Sequence, residues 1–306
     1  MGLRDPGRAG LSAAPVATRV RKAGGHRAGR RRSLAVAAAL VPVLLAGCIS
    51  EERERQIGDQ VAAQVNPSLP LIDDPVLNAY VSAVGKRIGE VSARPDLEYR
   101  FYIIDSDIVN AFALPGGHIY LTRGLIGRVA NGQEFAGVLA HEIAHVAARH
   151  GVAKLQRQLR TGSLVTVLYD TFLGGEPGLL RENAVQVAGI LWSAHHSRRE
   201  ESEADRLAVS YLSQNGIQPE GVVTLLETLL ADEVEQGPED QPLTEWLSSH
   251  PLTEDRIRLA RQEIQRLEPA NPTRPERELG VELGTYPLFQ LLVNRHPHLS
   301  TPYTAP

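Results

Sequence analysis

Residues His141–His145 have the sequence HEIAH, which matches the pattern His-Glu-x-x-His, and they lie within a strong helical signal. Asn131 can cap the start of this helix with Glu134 three residues later, and Gly151 supplies a stop signal. We therefore predict one helix from about residue 132 to residue 150. Side chains four residues apart lie on the same face of a helix, so both imidazoles can bind one metal ion.

The glutamate of the motif, Glu142, lies one residue further round the helix and is too close in sequence to be a third ligand on that face. It can reach a water molecule at the metal and act as a general base. The alternative is a pair of core histidines that bind only protein groups, because so short a pattern also arises by chance. Apolar neighbours bury this helix, however, and two buried histidines need polar partners. We therefore predict a site for one Zn²⁺ ion per chain.

A catalytic zinc site has three protein ligands and one open position, so another ligand must come from elsewhere in the chain. The metzincin pattern requires glycine at position 148 and histidine at position 151, where this chain has Ala148 and Gly151. A carboxylate on a second helix, which begins near residue 200, is the alternative. Glu200 and Glu201 both border the apolar face of that helix, whereas Glu203 lies about 200° from Glu201 around the helix axis. Helical spacing alone is compatible with either Glu200 or Glu201 as the ligand.

Three motifs follow one another along the chain: HEIAHVAARH at 141–150, SRREESEAD at 197–205 and HPLTEDRI at 250–257. Over residues 51–268 the chain resembles the HtpX and CAAX prenyl protease family of zinc metallopeptidases, and above all its periplasmic lipoprotein branch. The resemblance implies that Glu201 is the third zinc ligand. Asp205, one helical turn later, matches the aspartate of the family motif and can hold the ring N–H of a zinc-bound histidine.

The same resemblance brings His250 to the site. In the periplasmic branch the matching histidine can occupy the fourth position of the zinc and keep the enzyme silent, so His250 is either a latch or part of the catalytic machinery. The alternative is a loop histidine just before a helix that Thr253 caps. Relatives often have tyrosine where this chain has His196. The roles of His195 and His196 therefore stay open, and we favour histidines at a helix end over ligands.

Alternating apolar and polar residues predict a strand at about 98–104, and a second strand at 118–122 follows the turn at Pro115-Gly116-Gly117. A small sheet beside the zinc helix, in a mainly helical chain, predicts an α+β fold of the zincin-like metalloprotease type. An exposed edge of such a sheet can bind an extended peptide by backbone hydrogen bonds. The resemblance places Asn110, Gly116 and Gly117 beside this substrate cleft, and a hairpin with no role in substrate binding is the alternative.

Residues 1–47 are interpreted as a lipoprotein signal peptide. Nine Lys or Arg residues and one Asp precede Cys48, and the apolar run from Leu34 to Gly47 is too short to span a membrane. The run ends in Leu-Ala-Gly before Cys48, which resembles a bacterial lipobox with lipid added to the thiol. A buried thiol in a cytosolic protein is the alternative, but it leaves the basic and apolar prefix unexplained.

We expect a periplasmic protein that is held to a membrane by lipid on Cys48. Each CH₂ group of the lipid that is buried in the bilayer contributes about 0.8 kcal/mol to the free energy of membrane binding. Ile49 and Ser50 follow the cysteine, so the chain lacks the aspartate that marks inner-membrane retention in enteric relatives. The outer membrane is therefore favoured over the inner membrane.

The whole chain carries 32 Lys or Arg and 36 Asp or Glu, and Cys48 is its only cysteine. Because nine of the basic residues and one of the acidic residues precede Cys48, the remaining chain has a net charge of −12. We therefore expect no nucleic-acid partner. A single cysteine also excludes an internal disulfide bond, so stability depends on the hydrophobic core.

We divide the chain into four segments: a lipoprotein signal peptide (1–47), a lipid-anchored helix with its linker (48–70), the zinc metallopeptidase domain (71–268) and a proline-rich C-terminal tail (269–306), which we expect to be extended. Within the domain, two apolar helices that can cover the cleft are expected over residues 152–196. HtpX-type relatives have membrane-spanning helices in that region. Nothing after the protease domain resembles the tetratricopeptide domain of longer relatives.

The predicted activity is zinc-dependent endopeptidase activity in the bacterial cell envelope. The resemblance implies that the substrates are unfolded, misfolded or misassembled envelope proteins. Two alternatives stay open: a zinc-bearing chaperone or adaptor for outer-membrane protein assembly with little proteolysis, and an inner-membrane quality-control protease of the HtpX type.

Overall fold

The computed structural model describes residues 49–160, 196–236, 249–267 and 283–299. Outside the described residues lie the predicted signal peptide, the predicted lipidation site Cys48 and the expected apolar helices beyond residue 160. Within the described ranges, every helix is too short or too polar to cross a membrane.

Nine α-helices lie in the part of the chain that the structure describes. They are α1 Glu51–Val65, α2 Pro75–Glu90, α3 Arg123–Arg128, α4 Gly132–Ala147, α5 His150–Arg160, α6 Arg198–Gln214, α7 Glu220–Gln236, α8 Glu254–Leu267 and α9 Tyr286–Arg295. Two short 3₁₀ helices, Asn66–Ser68 and Leu283–Thr285, accompany them.

The sheet has three strands, β1 Arg100–Ile104, β2 Ala111–Leu114 and β3 His118–Thr122, in the order β1-β3-β2. The central strand β3 is parallel to β1 and antiparallel to β2. Leu71 forms a bridge with Ile104 on the outer side of β1, and β2 is the opposite edge strand and packs against α4. The predicted α+β fold, mainly helical with a small sheet beside the His-Glu-x-x-His helix, is confirmed.

Helix α4 is the centre of the core. Asn131 caps it by accepting a hydrogen bond from the backbone N–H of Glu134, and apolar or small side chains on every face bury the helix along its whole length. Helices α2, α6 and α7 pack around it. Since a helix that is apolar on all sides must be enclosed, its histidines are forced into the interior.

The end of α4 differs from the prediction. The helix ends at Ala147, Arg149 adopts a left-handed conformation with φ of 59°, and α5 begins at His150, so Gly151 lies within the next helix and is not the stop. A left-handed arginine costs conformational energy that other contacts must offset. Its Nε donates to buried Glu54 at 2.8 Å and its Nη2 donates to the carbonyl of Ile49. Contacts from the N-terminal segment therefore hold the turn at which α4 ends.

Helix α1 packs on the sheet and on the turn between β2 and β3. At Gly58 a Cβ atom would lie 1.8 Å from the carbonyl oxygen of Pro115, so only glycine allows this approach. Ile57 and Val61 are buried in a second apolar cluster with Leu114 and Tyr120. Helix α1 therefore packs directly against the turn that contains Pro115.

The expectation of an extended C-terminal tail is wrong for the residues that the structure describes there. Residues 286–295 form α9, which buries Tyr286, Phe289 and Val293 in the main core. The Tyr286 hydroxyl donates to the carbonyl of Ile126 at 2.7 Å, and Arg123 donates to the carbonyl of Val293 at 2.6 Å. Apolar residues at positions 286, 289 and 293 follow helical spacing, which the proline content of the tail obscured.

Candidate metal centre

Four side chains from three parts of the chain meet beside α4. His141 Nε2 lies 3.0 Å from His145 Nε2 and 3.3 Å from His250 Nδ1. The carboxylate of Glu201, from α6, lies 3.5 Å from His141 Nε2 and 3.3 Å from His145 Nε2. His250, in the segment before α8, has its Nδ1 3.1 Å from the same carboxylate. All four side chains are buried.

These donors fit a tetrahedral metal ion. With zinc–nitrogen bonds of about 2.0–2.1 Å, neighbouring ligand atoms of a tetrahedral site lie about 3.3 Å apart. The five separations above range from 3.0 to 3.5 Å. Two imidazoles, a carboxylate and a further imidazole are also the donor types that zinc prefers, so the residues present suit this ion.

Glu142 lies next to this cluster but is not part of it. Its side chain is 1% exposed, and within the described residues its Oε1 has no hydrogen-bond partner. Nε2 of His250 lies 3.7 Å from this oxygen. Burial raises the pKa of Glu142 above its usual value, and the nearby His250 and His141 offset only part of this effect. A buried carboxylate with a free oxygen beside a metal centre is suited to take up a proton.

Helix α6 presents its acidic residues in different directions. Ser197 caps the helix, and Glu200 completes a capping box by accepting from the backbone N–H of Ser197 at 2.9 Å. Glu200 is therefore occupied at the helix start, whereas Glu201 reaches the four-donor cluster. Glu203 is 44% exposed in its side chain and faces His150, on the other side.

Asp205 and Arg256 form the layer behind the donors. His141 Nδ1 lies 3.0 Å from Asp205 Oδ1, and Arg256 donates to both oxygens of Asp205 at 2.7 Å. The third nitrogen of Arg256, Nη1, lies 2.8 Å from Glu201 Oε2. Such a fork holds the planar carboxylate in one orientation.

Arg256 was not predicted as part of the site, although it lies in the motif at 250–257. Arg256 is 2% exposed and is the largest of the fully buried side chains within the described residues. It aligns with Ala260 and Ile264, four and eight residues later, on the buried face of α8. An arginine in register with an apolar stripe was the signal that could have revealed it.

Arg256 and the histidines favour the charged form of both carboxylates of the centre. Burial works against the charge of Glu201, but His250 and Arg256 outweigh it and hold the pKa of this carboxyl well below its usual range. Burial is likewise outweighed at Asp205, where Arg256 lowers the pKa. Burial also opposes a charged His141, yet the hydrogen bond to Asp205 and the Glu201 carboxylate raise its pKa to about 9. Two ionised carboxylates in the core thus favour the binding of a cation.

His196 lies against the centre, with its ring centroid 4.0 Å from that of His145. Its backbone N–H donates to the carbonyl of Ser249 at 3.1 Å, which ties the segment carrying His250 to the start of α6. Burial, with the charges of His145 and His250, lowers the pKa of His196 far below its usual value. His195 lies outside the described residues.

A cavity adjoins the donors, and the edge strand β2 supplies one wall of it. Residues 112–115, Glu54 and Arg149 line it together with Glu142 and His250. The predicted cleft residues Asn110, Gly116 and Gly117 flank the 112–115 segment and do not themselves line this cavity. Gly116 and Gly117 have φ of 81° and 96°, which a turn of this shape requires.

Paired histidines on one helix, a glutamate on a second helix and a buried glutamate beside them define a metal centre of the zinc metallopeptidase class. A family model described as Peptidase family M48 matches residues 75–264. This is more than half of the chain, and the chain belongs to this family. This confirms the resemblance to HtpX-type and CAAX prenyl protease metallopeptidases. It also confirms the predicted zinc cofactor.

Known relatives include two beta-barrel assembly-enhancing proteases. That of Escherichia coli K12 is 31% identical over 232 residues, which is 72% of this chain and 46% of the relative. That of Yersinia pestis is 32% identical over 233 residues, 74% of this chain and 46% of the relative. The mitochondrial metalloendopeptidase OMA1 of Schizosaccharomyces pombe is 33% identical over 180 residues, 58% of this chain and 50% of the relative. The chain thus spans about half the length of the curated relatives it matches.

Proposed function

We propose that this chain is a zinc-dependent endopeptidase of the bacterial cell envelope that cleaves unfolded or misassembled envelope proteins. The observation that carries the proposal is the free Oε1 of buried Glu142 beside the four-donor cluster. Membership of a peptidase family and the names of the relatives support the same activity. Two bacterial relatives carry the name beta-barrel assembly-enhancing protease, which supports a substrate among envelope proteins.

We assign His141, His145 and Glu201 as the zinc ligands. When bound, zinc supplies a Lewis acid that polarises the scissile carbonyl and makes a water molecule more acidic. Asp205, held by Arg256, accepts the Nδ1–H of His141 and so keeps the Nε2 lone pair directed at the cluster. Glu142 takes the proton from the attacking water and passes it to the leaving amine.

The position of His250 supports a latch. Its Nδ1 occupies the fourth corner of the donor cluster, at 3.1–3.3 Å from Glu201 and His141. An imidazole at this corner excludes both the attacking water and the substrate carbonyl. The arrangement therefore represents a silent state, and activity requires the 249–250 segment to move.

The edge strand β2 supplies a place for an extended substrate. It lies beside α4, and residues 112–115 line the cavity next to Glu142. A peptide that adds to this edge by backbone hydrogen bonds would cross the metal centre, with little dependence on its side chains. Such binding suits unfolded proteins as substrates.

Attachment of the protein to a membrane is part of the proposal. Lipid on Cys48, after removal of residues 1–47, holds the protein to a membrane facing the periplasm, and the outer membrane is favoured. The segment 48–70 then connects the lipid to the metallopeptidase domain at 71–268, and residues 269–306 follow it. The support is the basic and apolar prefix that ends at this single cysteine.

Cleavage of casein by purified protein comprising residues 48–306 tests the proposal. We expect cleavage that a zinc chelator abolishes and added zinc restores. Glu142→Gln should keep the metal and lose about 10²–10⁴-fold in rate, because glutamine cannot accept the proton. His250→Ala should keep the metal and cleave faster, because the fourth corner is then open.

Full activity of Glu142→Gln would contradict the mechanism. Loss of cleavage in a folded, zinc-loaded His250→Ala protein would make His250 a catalytic residue and not a latch. A wild-type protein that binds zinc and suppresses aggregation of unfolded proteins, while neither it nor His250→Ala cuts casein, would favour the chaperone alternative.

A further inference from the structure

His150 is a buried histidine that the proposed mechanism does not use. It is the first residue of α5 and is 5% exposed. Its Nδ1 lies 2.9 Å from Nδ1 of His145, which is hydrogen-bond distance. The other ring nitrogen of His145, Nε2, faces His141 and Glu201 in the donor cluster.

The break between α4 and α5 creates this contact. In a continuous helix, residue 150 would point about 140° away from residue 145, since successive residues turn by about 100°. The left-handed conformation of Arg149 redirects the chain and brings the two rings together. Arg149 in turn is held by Glu54 of α1. A separate set of contacts therefore maintains the pairing of His150 with His145.

The tautomers of His145 and His150 follow from which ring nitrogen of His145 faces the metal site. A neutral imidazole that binds a metal through Nε2 carries its proton on Nδ1. Nδ1 of His145 must then donate, and Nδ1 of His150 must accept. The proton of His150 is left on Nε2, which lies 3.7 Å from Glu203, too far for a direct hydrogen bond.

We propose that His150 is a positioning residue that orients the zinc ligand His145, as Asp205 orients His141. The inference rests on the proposed function, because it takes His145 as a ligand. The two ligand histidines of α4 then have separate acceptors: Asp205 from α6, fixed by Arg256, and His150 from α5, fixed by the turn at Arg149. Hydrogen bonds of this kind fix the tautomer and ring orientation and raise the affinity for the metal.

A second metal ion is the competing explanation, since His145, His150 and His196 also have donor atoms within 4.8 Å of one another. Such an ion would take Nδ1 of His145, while zinc takes Nε2. His145 would then have to lose both ring protons and bridge the two ions. A hydrogen bond explains the same distance with a neutral ring, so we favour it.

The test compares His150→Leu with His150→Asn. Asparagine places an amide oxygen near the position of Nδ1 and can accept the same hydrogen bond, whereas leucine has a similar shape and cannot. We expect His150→Leu to weaken zinc binding about 10–100-fold in competition with a chelator. His150→Asn should stay close to wild type, and Glu203→Gln, which removes only the distant charge, should do the same.

A spectroscopic measurement on the wild-type protein accompanies the variants. In the zinc-loaded protein, ¹⁵N NMR of the histidine rings should show His145 protonated at Nδ1 and His150 protonated at Nε2. This measurement decides the tautomers even if His150→Leu does not fold. The opposite tautomers would overturn the inference.

Equal zinc affinities of wild type and His150→Leu would also overturn the inference while leaving the proposed function intact. So would a His150→Asn protein as weak as His150→Leu, or two zinc ions per wild-type chain of which His150→Leu loses one. If the wild-type protein binds no zinc, the ligand assignment fails, and the inference fails with it.

Discussion

At the scale of single residues, one buried cation organises the charges of the centre. Arg256 contacts Asp205 with two nitrogens and Glu201 with the third. A buried ion pair adds little net stability, but removing one partner leaves buried charge without compensation. Here that charge would be two carboxylates, one a proposed ligand and one holding His141. Arg256 thus connects folding stability to the geometry of the metal site.

Replacing Arg256 should therefore be costly. We expect Arg256→Met to lower the free energy of unfolding of the metal-free protein by about 3–5 kcal/mol, because Glu201 and Asp205 lose their counterion. Arg258→Met is the matched control two residues later, where the side chain is 56% exposed. Its change should stay within about 0.5 kcal/mol. Urea unfolding followed by circular dichroism gives both values, and equal losses would contradict the role of Arg256.

The acidic residues of α6 give a second comparison between neighbours. Glu201→Gln should reduce zinc content sharply, because a neutral amide is a poor ligand and removes charge from the cluster. Glu203→Gln should leave zinc content nearly unchanged, because Glu203 is half-exposed and faces away from the cluster. Metal analysis of the two purified proteins, loaded and desalted together, measures the difference. Equal zinc loss in both variants would contradict the placement of Glu201 and Glu203 on different sides of α6.

At the scale of elements, α1 contacts the residues at the end of α4 through Glu54. Glu54 in α1 is 1% exposed and accepts from Arg94 and from Arg149, both at 2.8 Å. Through Arg149 it helps to set the end of α4, and Gly58 lets the same helix touch the turn at Pro115. Helix α1 lies outside the segment that the family model matches, yet it packs against both the end of α4 and the edge strand β2.

The close approach of α1 is testable at Gly58. A Cβ atom there would overlap the backbone of Pro115, so Gly58→Ala should lower the free energy of unfolding by about 1–3 kcal/mol. This loss outweighs the helix propensity of alanine because the obstacle is backbone and cannot rotate away. Gly284→Ala is the control, since a Cβ atom at Gly284 meets nothing within 4 Å. A Gly58→Ala protein as stable as Gly284→Ala would contradict the packing of α1.

At the scale of the whole molecule, segments on both sides of the family match belong to the same packed structure. Helix α1 precedes residues 75–264 and α9 follows them, and both bury apolar side chains against the matched region. Buried Asp105 accepts from Arg123, His298 and the backbone of Leu299, which holds the segment after α9 in place. The metal centre therefore sits in a framework larger than the motifs that define it.

The proposed site of the lipid anchor, Cys48, lies three residues before α1. In a Gram-negative host, Cys48→Ser should no longer incorporate labelled fatty acid and should leave the membrane fraction, since the thiol is the attachment point. Zinc content should be unchanged. Ser50→Ala, which only removes the side-chain cap of α1, should keep the label. A Cys48→Ser protein that stays firmly on membranes would show that the anchor lies elsewhere.

Local patterns in the sequence were sufficient for several elements and for the two histidines of α4. The i, i+4 spacing put His141 and His145 on one face, and the cap at Asn131 marked where α4 begins. These features depend on residues within a few positions of one another, so periodicity and capping reveal them without knowledge of the fold. The choice between Glu200 and Glu201 needed the family resemblance.

Only the tertiary structure showed which distant residues complete the centre. The pair Glu54 and Arg149, which ends α4, is separated by 95 residues, and Arg256 meets Asp205 across 51. The contact between His145 and His150 spans only five residues, but it requires the break between α4 and α5, at which the distant pair lies. Burial removes the water that would otherwise satisfy these charges, so their partners are chosen by the packing of helices and not by spacing along the chain.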